Sequence, residues 1–356
     1  MKNLLRILII LTFFSIIFYY TIGSDDQIEP LKSSNSANQP IPKTKVEESS
    51  AMYLPRPTTG VSTFIGEEAD SVIEAYGLPT RIEASGFGYD WWIYVKESEY
   101  QMYGVLDNVV KQVYTNSNNI DVSPYKIDQK LEDIYRMTIL EAEITVEVDD
   151  NIYIFMMNEN DMKSRIIVPY EGVFAQLYID QNNESLSGIR FIDKDILLLH
   201  QPYEYQYLGE MLPKNTVSSF LQEKIDESNS NQIYDLINEI RTKNNIHKLM
   251  KSPSLSEIAT LRSESIYVQS VIPYEQSEMK SLKETLEDKQ IAYKNVEENL
   301  ALNYYDAIEA YHGWLNSEDH RNILLSSRFN MTGTGVYMGY YSQVFLEKEL
   351  DHNEKK

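Results

Sequence analysis

Apolar positions along the chain follow two different periods, and the change between them divides the molecule. From residue 67 the step is helical, with Ala69, Val72, Ile73 and Tyr76 on one face. Gly77 then supplies a left-handed stop, and Pro79 forbids continuation. Strand-like runs follow at residues 89–95, 100–106 and 109–114, with Asp107-Asn108 as a hairpin turn between the last two. A weaker echo comes later. Leu131, Ile134 and Tyr135 sit at helical spacing, and Ile144, Val146 and Val148 alternate as in a strand. So do Val173, Ala175, Leu177 and Ile179. Helix followed by strands, twice over, predicts two copies of one small α+β unit.

Beyond residue 230 the helical step dominates. It is carried by Ile233, Leu236, Ile237 and Ile240; from Ser256 by Ile258, Ala259 and Ile266; then by Met279, Leu282 and Leu286; then by Ala307, Ala310, Tyr311 and Trp314. Ser254 or Ser256 caps the second of these helices. Ser317 reads as the N-cap of a further short helix, whose first turn carries Glu318 and Asp319. Gly333, Gly335 and Gly339 punctuate two closing strands. Helices around a small terminal sheet predict an α-β-α sandwich.

Two stretches fit neither period. Residues 7–22 are nearly all apolar and uncharged, and they follow Lys2 and Arg6. Counted as residues 4–22, the run is long enough to cross a bilayer, with the rest of the chain facing outward. Residues 1–23 are therefore expected to be a signal anchor, or a signal peptide if the chain is cut near Gly23. Residues 24–57, with Pro30, Pro40, Pro42, Pro55 and Pro57, read as a disordered linker. An α+β domain is expected over 58–212 and the sandwich over 230–350. The boundary falls between 212 and 230, and the sandwich is expected to fold by itself.

Composition narrows the chemistry. The 356 residues suit about two domains. The net charge of −22 disfavours nucleic acid as a partner. It is uneven: from Asn231 onward 14 Lys and Arg stand against 19 Asp and Glu, a net −5, leaving −17 upstream. With no cysteine, disulfides, thiolate metal sites, a Cys nucleophile and a lipoprotein anchor are all excluded. Five histidines remain for any imidazole chemistry: His200, His247, His312, His320 and His352. Trp91, Trp92 and Tyr94 make either an aromatic platform or core plus one exposed ring. The carboxylates over 141–150 either attract a cation or form the wet face of a strand.

Two resemblances to known families rest on particular residues. Gly66, then Tyr76-Gly77-x-Pro79-x-Arg81, then Gly88-Tyr89-x-Trp91-Trp92-x-Tyr94 resemble the CAP-associated N-terminal domain over about residues 60–205. That module implies location and partnership more than chemistry. Glu298-Asn299-Leu300-Ala301, then Trp314-Leu315-Asn316-Ser317-x-x-His320-Arg321-Asn322-Ile323-Leu324, then Gly339-Tyr340-Tyr341-Ser342-Gln343-Val344-Phe345 resemble the bacterial branch of the CAP superfamily. This is the group of cysteine-rich secretory proteins, antigen 5 and pathogenesis-related class 1 proteins, also called SCP domains. Leu236-x-Asn238-x-x-Arg241 and the helix at Leu255, Ile258 and Ala259 extend the likeness over about 230–348. The implied fold class is α+β. A C-terminal α-β-α sandwich of the CAP fold is preceded by a smaller α+β domain of two repeated helix–strand units and an N-terminal membrane-anchor helix.

The resemblance also implies a cleft, which in some members holds a divalent metal on two His and two Glu. Here Glu298 matches one Glu, with Glu297 in place of the Gly before it, and His320 matches the His of the bacterial His-Arg pair. Tyr340 and Ser317 stand where eukaryotic members carry a second His and a second Glu. Tyr274, Glu275 and Gln276 occupy the stretch of the remaining His. No metal and no cofactor are expected, because two ligands hold zinc poorly. The expected cleft lining is Glu298, Asn299, Asn316, Ser317, His320, Arg321, Tyr340 and Gln343, with Glu298 and His320 as a polar pair. Arg321 is expected to clamp a loop carbonyl or carboxylate, His312 to pair with Glu309 at the surface, and Trp314 to be core. Two functions follow. One is a non-catalytic, membrane-tethered binding module of the cell envelope for a peptide, glycan or lipid-like ligand. The other is an envelope hydrolase, peptidase-like, that uses Glu298 and His320 with or without a divalent metal.

Overall fold

The computed structural model describes residues 28–33, 38–40, 53–96, 99–213, 216–271 and 280–348. The expected anchor over 4–22, most of the linker, Tyr274 to Gln276 and Met279 lie outside the described residues. Two short strands come first, β1 (Leu31–Lys32) and β2 (Asn38–Pro40).

The α+β domain opens with α1 (Asp70–Tyr76), which ends at Gly77 with φ of 82°. A meander follows, made of β3 (Arg81–Ala84), β4 (Asp90–Lys96), β5 (Glu99–Leu106) and β6 (Val109–Thr115). Asp107 and Asn108 turn the last hairpin with φ of 50° and 62°, the mirror-image turn that matches strand twist. Next come α2 (Leu131–Met137), β7 (Glu143–Val148), β8 (Asn151–Met156), α3 (Asp161–Ser164), β9 (Arg165–Tyr170), β10 (Val173–Asp180) and β11 (Ser185–Ile192). The two meanders join through β6 and β11 into one seven-stranded sheet, ordered β3-β4-β5-β6-β11-β10-β9. The expected doubling is visible in a shared detail. Glu68, before α1, bridges Val109 at the start of β6, and Lys130, before α2, bridges Ser185 at the start of β11. After α4 (Lys194–His200), β12 (Glu204–Leu208) completes a second sheet, ordered β2-β12-β8-β7. With two sheets against one, this domain is not the smaller of the two. Trp91 is core and Trp92 half-buried, while Glu143 and Glu147 sit on the wet side of β7.

The C-terminal domain begins with α5 (Ser219–Lys243), capped where the Ser218 hydroxyl accepts from the Leu221 N–H. Then follow β13 (Met250–Lys251), α6 (Pro253–Val271), α7 (Leu282–Asp288), β14 (Asn295–Leu302), α8 (Ala307–Leu315), α9 (Glu318–Leu324), β15 (Met331–Tyr337) and β16 (Tyr340–Glu347). The sheet order is β1-β14-β16-β15-β13. On one face Leu255, Ile258 and Ala259 of α6 meet Leu282 and Leu286 of α7 over Val344 and Leu346. On the other, α5, α8 and α9 bury Ile233, Leu236, Trp314 and Leu324 against Tyr341 and Phe345. This is the expected sandwich. Its helix α5 reaches back to residue 219, across the place where the domain boundary was expected.

The linker is not structureless throughout. β1 pairs in parallel with β14, Leu31 opposite Ala301 and Lys32 opposite Leu302. β2 pairs in parallel with β12, from Asn38 opposite Tyr205 to Pro40 opposite Tyr207. A single apolar cluster also runs through both domains, from Val61 and Trp91 to Trp314 and Phe345. Among the described residues no helix is long and apolar enough to cross a membrane.

Candidate functional site

Two glycines set the depth at which α6 lies on the sheet. A Cβ on Gly333 would stand 2.1 Å from the Leu255 carbonyl carbon, and one on Gly335 2.0 Å from the Thr260 nitrogen. Backbone therefore rests on backbone, and the Ser263 hydroxyl donates to the Gly335 carbonyl at 2.9 Å. Held this close, α6 reaches across to β14, where strand alternation turns Glu298 and Leu300 to the same face. Arg262 Nε donates to Glu298 Oε1 at 2.5 Å, and the Ser342 hydroxyl donates to the same oxygen at 2.6 Å. Arg262 Nη1 continues to the Lys280 carbonyl at 3.1 Å, while Nη2 is buried with no hydrogen-bond partner among the described residues. Beside this group Ile266, Leu300, Leu302 and Tyr340 form a separate apolar cluster. Tyr267 sits edge-on to Tyr337 at 5.2 Å and to Tyr340 at 5.3 Å.

The neighbouring residue Asn299 must face the other way, and so does the imidazole. Asn299 Nδ2 donates to the His320 carbonyl at 3.0 Å, and His320 Nδ1 lies 2.8 Å from the Ser317 hydroxyl. Burial lowers the His320 pKa, with Asp319 and a contact at Leu300 opposing the shift. Gln343 is on this face too, with its Nε2 3.2 Å from Thr332 Oγ1. The expected Glu298–His320 pair does not form, because consecutive positions on β14 send their surroundings to opposite sides of the sheet. Ser317 does begin α9, but its hydroxyl bonds the His320 ring and not a backbone N–H.

The remaining expected cleft residues turn to the other domain. Asn316 Oδ1 accepts from the Gln181 N–H at 2.9 Å, and its Nδ2 donates to the Ile179 carbonyl at 2.8 Å. Arg321 clamps both a carbonyl and a carboxylate, Leu315 O at 3.0 Å and Asp180 Oδ2 at 2.9 Å. The eight residues expected around one cleft thus fall into three places: Glu298 and Tyr340 under α6, Asn299, Ser317, His320 and Gln343 behind the sheet, and Asn316 and Arg321 at the domain contact.

That contact holds a polar cluster that the sequence did not reveal. Glu309 accepts from Arg165 and the Tyr178 hydroxyl, each at 2.5 Å, and from Tyr305 at 3.0 Å and Gln176 at 3.2 Å. Burial opposes its ionisation, but Arg165 and Arg190 outweigh that and hold the carboxylate below its ordinary pKa. Arg190, fully buried, donates to Asp306 Oδ2 at 2.7 Å. His312 is not a surface partner of Glu309. It is 4% exposed, stacked on Tyr178 at 4.1 Å, and 2.9 Å from the Tyr114 hydroxyl. Burial pushes its pKa down to about 3, with Glu309 opposing and Arg190 assisting. Gln176 and Arg190 sit mid-strand, where a lone polar residue ordinarily reads as a solvated face, so only their pairing across domains exposes the cluster.

The family's metal tetrad does not fit this chain. Its one retained carboxylate is already neutralised by Arg262, and among the described residues no three His, Asp or Glu side chains converge.

Two family models match the chain, over different stretches. A family model described as CAP-associated N-terminal matches residues 65–203, and one described as the cysteine-rich secretory protein family matches residues 234–346. The uncharacterized membrane protein YlbC of Bacillus subtilis (strain 168) is 33% identical over 351 residues, covering 98% of this chain and 100% of that one. An extracellular protein containing a SCP domain from Bacillus anthracis str. Ames superposes with a TM-score of 0.77 at 30% identity, over 85% of this chain and 99% of that chain. A cysteine-rich secretory protein from Staphylococcus aureus subsp. aureus Mu50 gives 0.74 at 25% identity, over 90% and 100%.

Proposed function

The chain belongs to the cysteine-rich secretory protein family, and from that premise we propose that it is a non-catalytic binding module of the cell envelope, tethered outside the membrane by residues 4–22. One observation carries the reading. Glu298, the acid that a hydrolytic or metal-holding version of the cleft would need, is bonded to a buried guanidinium and a hydroxyl on the α6 side of the sheet. The imidazole of His320 lies behind that sheet, held by Ser317. An acid and a base that face opposite sides of a strand do not act on one substrate atom. The half-buried ring of Tyr267, packed edge-on against the buried Tyr340, suits a ligand with both an apolar body and hydrogen-bonding groups, such as a peptide, glycan or lipid-like envelope component.

The test has a location arm and a chemistry arm. Protease shaving of intact cells should remove the folded part, whereas full protection in the cytosol refutes the tether. Purified protein should co-sediment with isolated wall polymer or with envelope lipid vesicles, and Tyr340→Ala should weaken that binding about tenfold, the loss of a well-packed aromatic contact. A peptidase or esterase activity that both Glu298→Gln and His320→Ala abolish without unfolding the protein would establish the hydrolase instead.

A further inference from the structure

The sheet of the C-terminal domain has an unfinished edge. β13 pairs only Met250 and Lys251 with Met331 and Thr332, and among the described residues no strand flanks β15 beyond that point. Alternate residues of β15 turn their backbone groups outward to this edge. The Thr332 carbonyl accepts from Ser252 N at 2.8 Å, the Thr334 carbonyl from the Ser230 hydroxyl at 2.8 Å, and the Met338 N–H reaches Asp226 Oδ2 at 3.2 Å. The same alternation places the Thr334 N–H and both backbone groups of Val336 on the edge, between those two ends.

Along this edge runs a groove of about 770 Å³, walled by the first half of α5 on one side and by α6 on the other. Its rim is acidic. Glu223, Asp226, Glu227 and Glu264 line it, against one cation among the described residues, Lys251, which is already engaged with Asn231 at 2.7 Å. Its floor holds an unused hydroxyl: Thr334 is 2% exposed, lines the groove, and its Oγ1 has no hydrogen-bond partner among the described residues. Ser256, Thr260 and Glu264 lie one helical turn apart on the groove side of α6. Arg262 and Ile266 project from the opposite side of that helix, toward Glu298. The groove therefore opens on the other side of α6 from Glu298, and it adjoins the tyrosine group at Tyr337, which lines the groove and packs edge-on against Tyr267.

We propose that this groove binds an extended, lysine- or arginine-bearing peptide as an added strand on the free edge of β15. Main-chain hydrogen bonds to Thr334 and Val336 would supply the ladder, and alternate side chains would meet the carboxylates of the two helical walls. An edge shielded between two helices is reachable by one strand at a time, which distinguishes a docking slot from an aggregation hazard.

The experiment is fluorescence anisotropy with purified full-length protein at about 0.15 M salt, where long-range steering between exposed charges is screened. The probe is a labelled octapeptide alternating lysine and threonine. Saturable binding is expected, falling at least tenfold in the triple variant Glu223→Gln, Glu227→Gln, Glu264→Gln. These three residues are exposed, so the variant should melt like the parent. The same peptide N-methylated at alternate nitrogens should also bind at least tenfold more weakly. Equal binding of the methylated peptide, or complete competition by spermine at equal concentration, would mean charge attraction without strand addition and overturns the proposal. So does unchanged binding by the triple variant, absence of saturable binding, or concentration-dependent dimerisation that the peptide leaves intact.

Discussion

Arg262 and Glu298 are an ion pair with side chains only 4% and 10% exposed, and such pairs behave asymmetrically. Removing one partner strands a buried charge, at a cost of about 3–5 kcal/mol, whereas replacing both with apolar groups is often close to neutral. Arg262→Met is therefore expected to lower stability by about that amount, and Arg262→Met with Glu298→Met to recover most of it. Urea unfolding measures both, and equal losses in the two variants would contradict the pairing. His312 gives a pH signature. Its folded pKa of about 3 lies below the unfolded value, so its contribution is complete above about pH 6.5 and is lost as pH falls toward 3. His200, held well below its ordinary value by burial and Arg190, acts the same way. Asp226, which burial raises to about 6, acts in the opposite sense, so the histidine effect is best isolated by difference. Between pH 6 and 5, His312→Gln should lose less stability than the parent by about 1 kcal/mol, since the unfolded imidazole takes up most of a proton there and the folded one does not. Parallel curves for the two would show that His312 is not buried neutral. The motif made Asn316, Arg321 and Trp314 legible as important positions. Only Arg321's partner types were readable, because which carbonyl or carboxylate answers a side chain depends on segments more than a hundred residues away.

At the scale of elements the sequence was most informative where one face of a helix or strand is apolar. The steps at Ile233–Ile240 and Ala307–Trp314, and the hairpin at Asp107-Asn108, map directly onto α5, α8 and the β5–β6 turn. The first turns of α5 were missed because Glu223, Lys224, Asp226 and Glu227 give no apolar period there. β1 and β2 were missed because two or three residues carry no period at all, and proline is tolerated at a sheet edge. Gly333 and Gly335 were noted only as punctuation. The structure makes them the reason α6 can sit on β15, so Gly335→Ala should push the helix off backbone that cannot yield. A loss of about 3 kcal/mol is expected, in the upper range for overpacking. For a chain of this size melting in one transition, that lowers the melting temperature by about 4 °C. A calorimetric scan that finds Gly335→Ala as stable as the parent would contradict the close approach.

On the scale of the whole molecule, the charge break near residue 230 suggested two independent bodies, and the contact between them says otherwise. The N-terminal domain lends Arg165, Arg190 and Arg81 to Glu309, Asp306 and Asp235, and takes back Arg321 onto Asp180. A chain that begins at residue 216 would leave Asp306 and Glu309 facing water without their cations and would uncover part of the shared apolar cluster. The full chain is expected to melt in one cooperative transition, and the fragment 216–356 to be far less stable or molten by dye binding. Two separated calorimetric peaks, with the second matching the isolated fragment, would restore the picture of independent domains.

The strands β1 and β2 have a mechanical consequence. If residues 4–22 are held in a bilayer while a ligand is held by the folded part, tension enters the body at residue 28. It meets two ladders of only two and three residues, one on each domain, before it reaches any core strand. These should peel first and release the chain from residue 28 to 40 at about 3.4 Å per residue, a slack of at most roughly 40 Å. A short, low-force extension of that length, ahead of domain unfolding, is what optical-tweezer pulling from the N-terminus should record, and with it the protein would lengthen its own leash under load without surrendering its grip.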